Sequence, residues 1–420
     1  MLCLVGRVLA LRQDTLLLAD ETGTIPLHCP PGLWEVGAGD LVQVVVAAGA
    51  GPRSVTALEL LTPCRGSDPF PSPGGEYHRL HHPLPGSGAH RVDLLRRRAA
   101  CLRAIRAFFD DRGYLEVQPP LRVRVPGLEP HLVAVSSGEA WLITSPEYHM
   151  KRLLAAGLER IYSLGPCWRG DEQGSHHLGE FTMLEWYHAH CSLDGLMQET
   201  EALLAHVALA VSDLAPAPSP VATALHYQGR TIDLGGPFER VTFAQACARY
   251  AGVDVRGVVQ ADELRRRAKA AGLGPFSDDD GFDAIASRIV VERVEPALRD
   301  GARPVFLCEF PAPLAALARL NPSNASVADR FELYAGGLEL ANAFGELTDP
   351  EEQRRRLELD RAARARAHAP THAVDGRFIA ALAEGIPPTA GIALGVDRLV
   401  MLLCDVPDIR QVVAFAPDEV

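Results

Sequence analysis

Two short stretches, far apart in the chain, constrain the fold more than anything else in the sequence. The first runs Trp168-Arg169-Gly170-Asp171-Glu172, passes through a His-rich loop, and continues as Glu180-Phe181-Thr182-Met183-Leu184-Glu185-Trp186-Tyr187. The second is Gly391-Ile392-Ala393-Leu394-Gly395-Val396-Asp397-Arg398. An arginine at the end of one strand, followed by a strand with an aromatic and two acids, can hold a nucleotide. A Gly-rich turn ending in a second arginine can hold its phosphate tail. The two stretches read as halves of one ATP site, so the fold must bring them together.

The chain has 420 residues, 47% of them hydrophobic, which suits two or three globular domains with a sizeable core. No apolar run reaches membrane-spanning length. Arg7 and Arg12 interrupt the N-terminal apolar stretch, which alternates like strands and is not expected to be a signal peptide. Nine cysteines are scattered without a CxxC pair, which fits a reduced cytoplasm. The net charge of −12 makes non-specific binding to polyphosphate unfavourable, because such binding is driven by Lys and Arg contacts. Only Lys151 and Lys269 are lysines. Genome composition is the expected cause, and no function is read from it.

Residues 1–62 read as five short β-runs: Val5–Arg12, Thr15–Asp20, Thr24–Cys29, Leu41–Ala47 and Ser54–Leu61. Asp20-Glu21-Thr22-Gly23 and Gly37-Ala38-Gly39-Asp40 supply turns, and the whole suits a small OB-like barrel. Trp34 is its one aromatic and its arginines are few, so a structural or docking role is favoured over stacking on nucleic acid. Residues 63–90 are rich in Pro, Gly and His and read as a linker; His78, His81 and His82 have no accompanying ligands at metal spacing.

From Arg91 the pattern turns helical, with Leu95, Leu102, Ile105 and Phe109 as the apolar stripe and Gly113 as the stop. Tyr114–Val117 reads as a strand ended by Pro119-Pro120. The remainder to 420 mixes strands and helices without βαβ regularity. This predicts an α+β domain with an antiparallel sheet flanked by helices. Ala215–Pro220 reads as a surface loop. The arginine runs at 96–98, 265–267 and 354–356 read as solvated helix faces, and Asp278–Asp280 as a loop without EF-hand spacing.

Joining a carboxylic acid to the α-phosphate of ATP brings two anions together, so positive charge is needed there. Arg169 fits, since its planar fork can bridge carboxylate and phosphate. Phe181 is the candidate flat partner for adenine, and Arg398 for the γ-phosphate end. Glu332 and Glu339 flank Tyr334–Gly337; a turn there would turn both toward one Mg²⁺. A lysine-like substrate needs acids for its amines. Glu185, Tyr187 and Glu346 are candidates for the distal ammonium, Glu147 for the other amine, and Asn342 for the carboxylate. Taken singly, each acid is an ordinary surface residue; as a set they are not.

The order and spacing of these stretches resemble motifs 2 and 3 of class II aminoacyl-tRNA synthetases, and the helix–strand unit after Arg91 resembles motif 1, which builds a dimer interface. ITSPEYHMKRLLAAG (143–157), EFTMLEWY (180–187), ELANAFGELTD (339–349) and ALGVDRLVMLL (393–403) are similar to the elongation factor P lysyltransferase family. Those enzymes are lysyl-tRNA synthetase paralogues without an anticodon domain. The resemblance implies a class II synthetase-like domain over 91–420, activation of lysine or β-lysine with ATP and Mg²⁺, and transfer to a lysine of elongation factor P. tRNA is not the expected acceptor, and a homodimer is expected. It implies that Arg169, Asp171, His177, Phe181, Glu332, Glu339 and Arg398 bind ATP, with Arg169 and Arg398 catalytic and the two glutamates holding Mg²⁺. Glu147, Glu185, Tyr187, Asn342, Glu346 and Ala393 would line the lysine pocket. Lysyl-tRNA synthetases usually carry Gly where Ala393 stands, and one methyl there could separate α- from β-amino acids. Asp171, Leu178-Gly179 and Ala343 depart from the family's usual Glu, Asn-Pro and Gly. Two alternatives remain: a lysyl-tRNA synthetase with a reduced anticodon domain, and a non-catalytic synthetase-like module. Retention of Arg169, Arg398, Glu332 and Glu339 speaks against the second.

Overall fold

A computed structural model describes residues 1–20, 22–30, 35–47, 53–66, 69–129, 132–212, 223–366 and 368–420. Trp34, Glu21 of the first turn and the Ala215–Pro220 loop lie outside the described residues. Two compact units emerge: Met1–Leu84 with Gly88–Val92, and Pro85–Ser87 with Asp93–Val420.

The first unit is built on five antiparallel strands: β1 (Leu2–Arg12), β2 (Thr15–Asp20), β3 (Gly23–His28), β4 (Leu41–Val46) and β5 (Val55–Thr62). Their order is β3-β2-β1-β4-β5, and a parallel bridge from His28 to Ser54 links the two ends, as an OB-like barrel requires. β4 alternates strictly, with Val42, Val44 and Val46 turned into a core shared with Val8, Leu16, Leu18 and Leu27. Residues 63–90 carry structure of their own. A short helix α1 (Glu76–His81) places Tyr77 against Phe70, and Arg7 lies over the Phe70 ring. His78 and His82 stack on each other at 4.1 Å.

In the second unit the chain runs through α2 (Arg91–Asp110), β6 (Leu115–Glu116), a small sheet of β7 (Arg122–Val123), β8 (Ser136–Ser137) and β9 (Ala140–Leu142), then α3 (Glu147–Ala155). β10 (Arg160–Trp168), β11 (Glu180–Ala189) and α4 (Leu193–Ser212) follow. Next come the hairpin β12 (Ala224–Tyr227) and β13 (Arg230–Asp233), β14 (Glu239–Thr242), and short helices α5 (Phe243–Ala246), α6 (Ala261–Ala270), α7 (Phe282–Ile289) and α8 (Glu295–Leu298). The chain closes with β15 (Val305–Pro311), β16 (Leu320–Asn321), β17 (Asn324–Ala335), β18 (Leu338–Gly345), α9 (Pro350–Arg366), α10 (Gly376–Glu384), β19 (Thr389–Gly395) and α11 (Val396–Cys404). The large sheet has the order β14-β15-β17-β18-β19-β11-β10-β6, antiparallel through the middle and parallel at both ends. Among the described residues no helix is long and apolar enough to cross a membrane.

The period-2 alternation of β11 divides its side chains between two jobs. Leu184 and Trp186 are buried on the helix side, where Trp186 meets Phe109 of α2 and donates to Glu199 of α4. Phe181, Met183, Glu185 and Tyr187 take the other face. The α2 stripe differs from the sequence expectation by one position. Leu94, Cys101, Ile105, Phe108 and Phe109 are buried, while Leu95 and Leu102 are only half-buried. The small residues Ala100, Cys101 and Ala104 are buried with that stripe.

The arginine runs are also not simply solvated. Arg98 pairs with Asp397 and donates to Thr182 Oγ1 at 2.7 Å, and Asp397 accepts from the Thr182 backbone N–H at 2.6 Å. Arg265 is buried and holds the Asp278 and Asp280 carbonyls, while Arg356 holds those of Ala316 and Ala318. Each guanidinium supplies several fixed donors to backbone or carboxylate groups, which a solvated face would not require.

The Arg98–Asp397–Thr182 contact ties α2, β11 and the start of α11 together. Asp397→Asn keeps the shape and leaves Arg98 without its counter-charge. It should cost about 3 kcal/mol in the urea transition of the sheet-containing unit. A loss below about 1 kcal/mol, the level of an exposed pair, would contradict this role.

Candidate active site

Strand register sets one row of side chains across the sheet. Glu185 of β11 faces Ala393 of β19, Ala393 faces Asn342 of β18, and Asn342 faces Glu332 of β17. Four of the sequence-predicted residues thus share one face. Glu339 reaches that face through a bulge. Leu333 pairs with Ala341 but Tyr334 pairs with Glu339, so β18 carries one extra residue at Leu340. Three positions separate Glu339 from Asn342, which would put them on opposite faces of a regular strand; the bulge restores them to one. The β17–β18 turn is Gly336-Gly337, both at positive φ (59° and 81°), as a tight hairpin requires.

At one end of the row lies a buried acidic pocket. Glu185 and Glu346 are 1% and 3% exposed, and Glu147 at the start of α3 is also buried. The cation among them is one the sequence reading passed over. Lys151, one turn along α3 from Glu147, is 1% exposed and places Nζ 2.5 Å from Glu147 and 2.6 Å from Glu346. Ser145 Oγ donates to Glu185 at 2.5 Å and the Tyr187 hydroxyl donates to its other oxygen at 3.2 Å. Burial, then the Glu147 charge, pushes the Glu185 carboxyl up to about 8. Burial also raises Glu346, against the pull of Lys151. Lys151 stays charged, because Glu147 and Glu346 together outweigh its own desolvation. Tyr187 and Glu346 close over Gly391: a Cβ there would come within 2.4 Å of both, so only glycine fits. The sequence holds one trace of Lys151, though not of what it faces. A chain that uses arginine almost everywhere keeps a lysine at this position. A compact ammonium fits between two carboxylates where a planar guanidinium does not.

The other end of the row carries the residues expected around a nucleotide. Arg169 lies 5.1 Å from the Phe181 ring centroid and donates to Glu172 at 3.3 Å. Its Nε is shielded from solvent with no hydrogen-bond partner. Phe181 packs beside Ala393, Trp168 and Met183. Arg398, in the first turn of α11, donates to the His176 and Glu339 carbonyls and meets His177 Nε2 at 2.5 Å. Burial and the Arg398 charge hold the His177 imidazole below its ordinary range, so it accepts from Arg398 as a neutral ring. Asp171 stands exposed on the loop between β10 and β11. Glu332 accepts from Arg330 at 2.6 Å and from the Tyr334 hydroxyl at 2.7 Å, and Glu339 lies 3.7 Å from Arg398. Burial raises the Glu332 carboxyl, and Glu339 adds to the rise. Asn342 keeps a buried amide oxygen without a hydrogen-bond partner. The face therefore runs from a cation-poor acidic pocket, past an unsatisfied amide, to two arginines and a second pair of acids.

The family model for class II tRNA synthetases (D, K and N) matches residues 88–419. An elongation factor P–(R)-β-lysine ligase of Erwinia tasmaniensis is 39% identical, covering 77% of this chain and 95% of its own. The protein of that name from Haemophilus influenzae Rd is 38% identical, covering 77% and 94%. A lysine–tRNA ligase of Moorella thermoacetica is 33% identical over 98% of this chain and 87% of its own. With a model that spans the whole large sheet and both halves of the site, the chain belongs to the class II tRNA synthetase family of the D, K and N type.

Proposed function

We infer that this chain is an ATP-dependent ligase that activates lysine or β-lysine and joins it to a lysine side chain of elongation factor P. The observation that carries the substrate is the charge of the acidic pocket. Glu147, Glu185 and Glu346 are buried around one lysine, and a buried carboxylate without a counter-charge is costly. A second ammonium completes the pocket, and a diamino acid brings one. The acceptor follows the relatives named for elongation factor P, which this chain matches over nearly their full length.

In this reading residues 91–420 form the catalytic domain, and the five strands of 1–62, with the helix-bearing segment packed on them, a docking module. Glu185, Tyr187 and Glu346 bind the distal ammonium, Glu147 the other amine and Asn342 the carboxylate. The Ala393 methyl narrows the pocket wall. Arg169 bridges that carboxylate and the α-phosphate of ATP, Phe181 carries adenine, and Asp171, His177 and Arg398 hold the rest of the nucleotide. A carboxylate oxygen bonds to the α-phosphorus, the bond to the bridging oxygen breaks, and pyrophosphate leaves. The acceptor amine then attacks the acyl carbon, the C–O bond to phosphate breaks, AMP leaves, and the amine loses its proton. Preorganised arginines favour the first step by meeting charge where two anions converge.

Glu332 and Glu339 suit Mg²⁺ in donor type. Both are carboxylates, and Glu339 adds to the cost of ionising Glu332, which a hard cation relieves. Bound there, Mg²⁺ would neutralise phosphate charge. The protein would supply these two ligands and phosphate and water the remainder. The nine cysteines, free where the structure describes them, suit a reducing cytoplasm.

A homodimer through 91–120 is part of the proposal. Leu115 is 52% exposed at the sheet edge, and Leu95 and Leu102 are incompletely covered on α2. Light scattering should give twice the mass of one chain, and a fully active monomer would contradict it.

One observation favours a second reading. The Moorella lysine–tRNA ligase matches 98% of this chain, a span that takes in the five-stranded unit. The test is pyrophosphate exchange with α- and β-lysine, then transfer to elongation factor P and to tRNA. The expected result is exchange with β-lysine and transfer to the protein, with exchange abolished in a folded Arg169→Ala variant. Efficient charging of tRNA with α-lysine, lost when residues 1–65 are removed, would establish the synthetase reading instead.

A further inference from the structure

Next to the acidic pocket lies a small cavity lined by Gly127, Glu129, Thr144, Ser145, Glu147 and Tyr148. Its open space is about 10 Å³, room for one water or one ammonium head. Three oxygens in its wall lack hydrogen-bond partners although shut off from solvent: Glu129 Oε2, Thr144 Oγ1 and the Tyr148 hydroxyl. Thr144 is 1% exposed. The first two converge on Gly127. The point where a Cβ on that residue would sit is 2.1 Å from Glu129 Oε2 and 3.1 Å from Thr144 Oγ1.

Buried polar atoms are rarely left unpaired, and a carboxylate oxygen beside two hydroxyls in one small space calls for a partner. The charge calls for a cationic one. Burial, then the Glu147 charge, pushes the Glu129 carboxyl up to about 7, and Arg169 acts on it more weakly. Lys151 is committed to Glu147 and Glu346. Glu129 therefore shares Glu147 as a neighbour without sharing its cation. A group with three N–H donors and a positive charge would satisfy Glu129, Thr144 and Glu147 together.

We propose that Glu129 is a second acidic ligand for the substrate ammonium nearer the reacting carboxylate, and that with Thr144 it selects diamino acids over acids carrying only the distal amine. This rests on the lysine-ligase reading. Glu147 alone cannot provide that selection, because Lys151 already neutralises it. Glu129 lies toward Arg169, on the side where the substrate's reacting end is placed, while Glu185 and Glu346 hold the far end.

The test compares wild type, Glu129→Gln and Glu129→Asp in full-length protein by pyrophosphate exchange. 6-Aminohexanoate, which keeps the carboxylate and distal amine but lacks the nearer one, serves as competitive inhibitor. Glu129→Gln should raise the KM for lysine and β-lysine about ten- to a hundred-fold, the range for losing a charge-assisted hydrogen bond. The KM for ATP and the Ki of 6-aminohexanoate should stay within about two-fold, since neither reaches the lost carboxylate. Glu129→Asp should recover part of the lost affinity by keeping the charge. If Glu129→Gln does not fold, the same selective rise in Glu129→Asp carries the test. Unchanged KM in both variants overturns the proposal. So does equal weakening of 6-aminohexanoate or ATP, which would make Glu129 a support for Arg169. If wild type activates neither lysine nor β-lysine, the ligase reading itself fails and this proposal falls with it.

Discussion

The hydrogen-bond register of β17, β18, β19 and β11 is the constraint on which the rest of the site depends. It lines up Glu332, Asn342, Ala393 and Glu185 in one row. A slip of one residue in any of these strands would turn its side chains to the helix face, where Trp186 and Leu184 are packed. The helix-face packing and the site-face chemistry therefore hold each other in register. The bulge at Leu340 is the one local irregularity, and it is what adds Glu339 to the row. The Arg98–Asp397–Thr182 contact works at the same joint from beneath, fixing the start of α11 beside β11 and with it Arg398.

The charges on that face are graded. Two arginines, 169 and 398, stand at the nucleotide end, and three acids surround one lysine at the other. Such an end is unfavourable when empty and keeps all its acids ionised only with a cationic guest. Lys151 keeps the empty pocket from being a bare cluster of carboxylates, which would protonate throughout or repel apart. It holds Glu147 and Glu346 in place and leaves Glu185, bridged by Ser145 and Tyr187, for the guest. Glycine at 391 is the steric condition for this arrangement, because Tyr187 and Glu346 occupy the space a side chain would need.

Much of this was legible in the sequence, for identifiable reasons. The alternation of EFTMLEWY and the Gly-Gly turn after Tyr334 are local patterns with fixed geometric meaning, and both strands formed where they pointed. The five β-runs of the first unit likewise follow from alternation and turn chemistry. Features that depend on what lies across space were not legible. Arg98, Arg265 and Arg356 look like solvated runs until the partners that they bind are placed beside them. The α2 stripe lies one position away because a helix with apolar residues at 94, 95, 101 and 102 offers two near-equivalent faces, and only packing chooses between them. Lys151 and Glu129 were missed because one sat inside an ordinary helical stretch and the other in a loop. Only the fold reveals that both face the same acids.

The central claim is that the acidic pocket waits for an ammonium. In the empty site Glu185, pushed up to about 8, holds a proton at neutral pH, while Glu346 stays paired with Lys151. An entering ammonium favours the carboxylate form, lowers that value and expels the proton. Calorimetric titration with β-lysine and lysine at pH 7, in two buffers of different ionisation enthalpy, measures this directly. The account predicts net proton release at pH 7. It also predicts affinity that rises between pH 6.5 and 8, by up to about ten-fold per pH unit for each proton expelled. Binding without proton release, or affinity flat over that range, would contradict it.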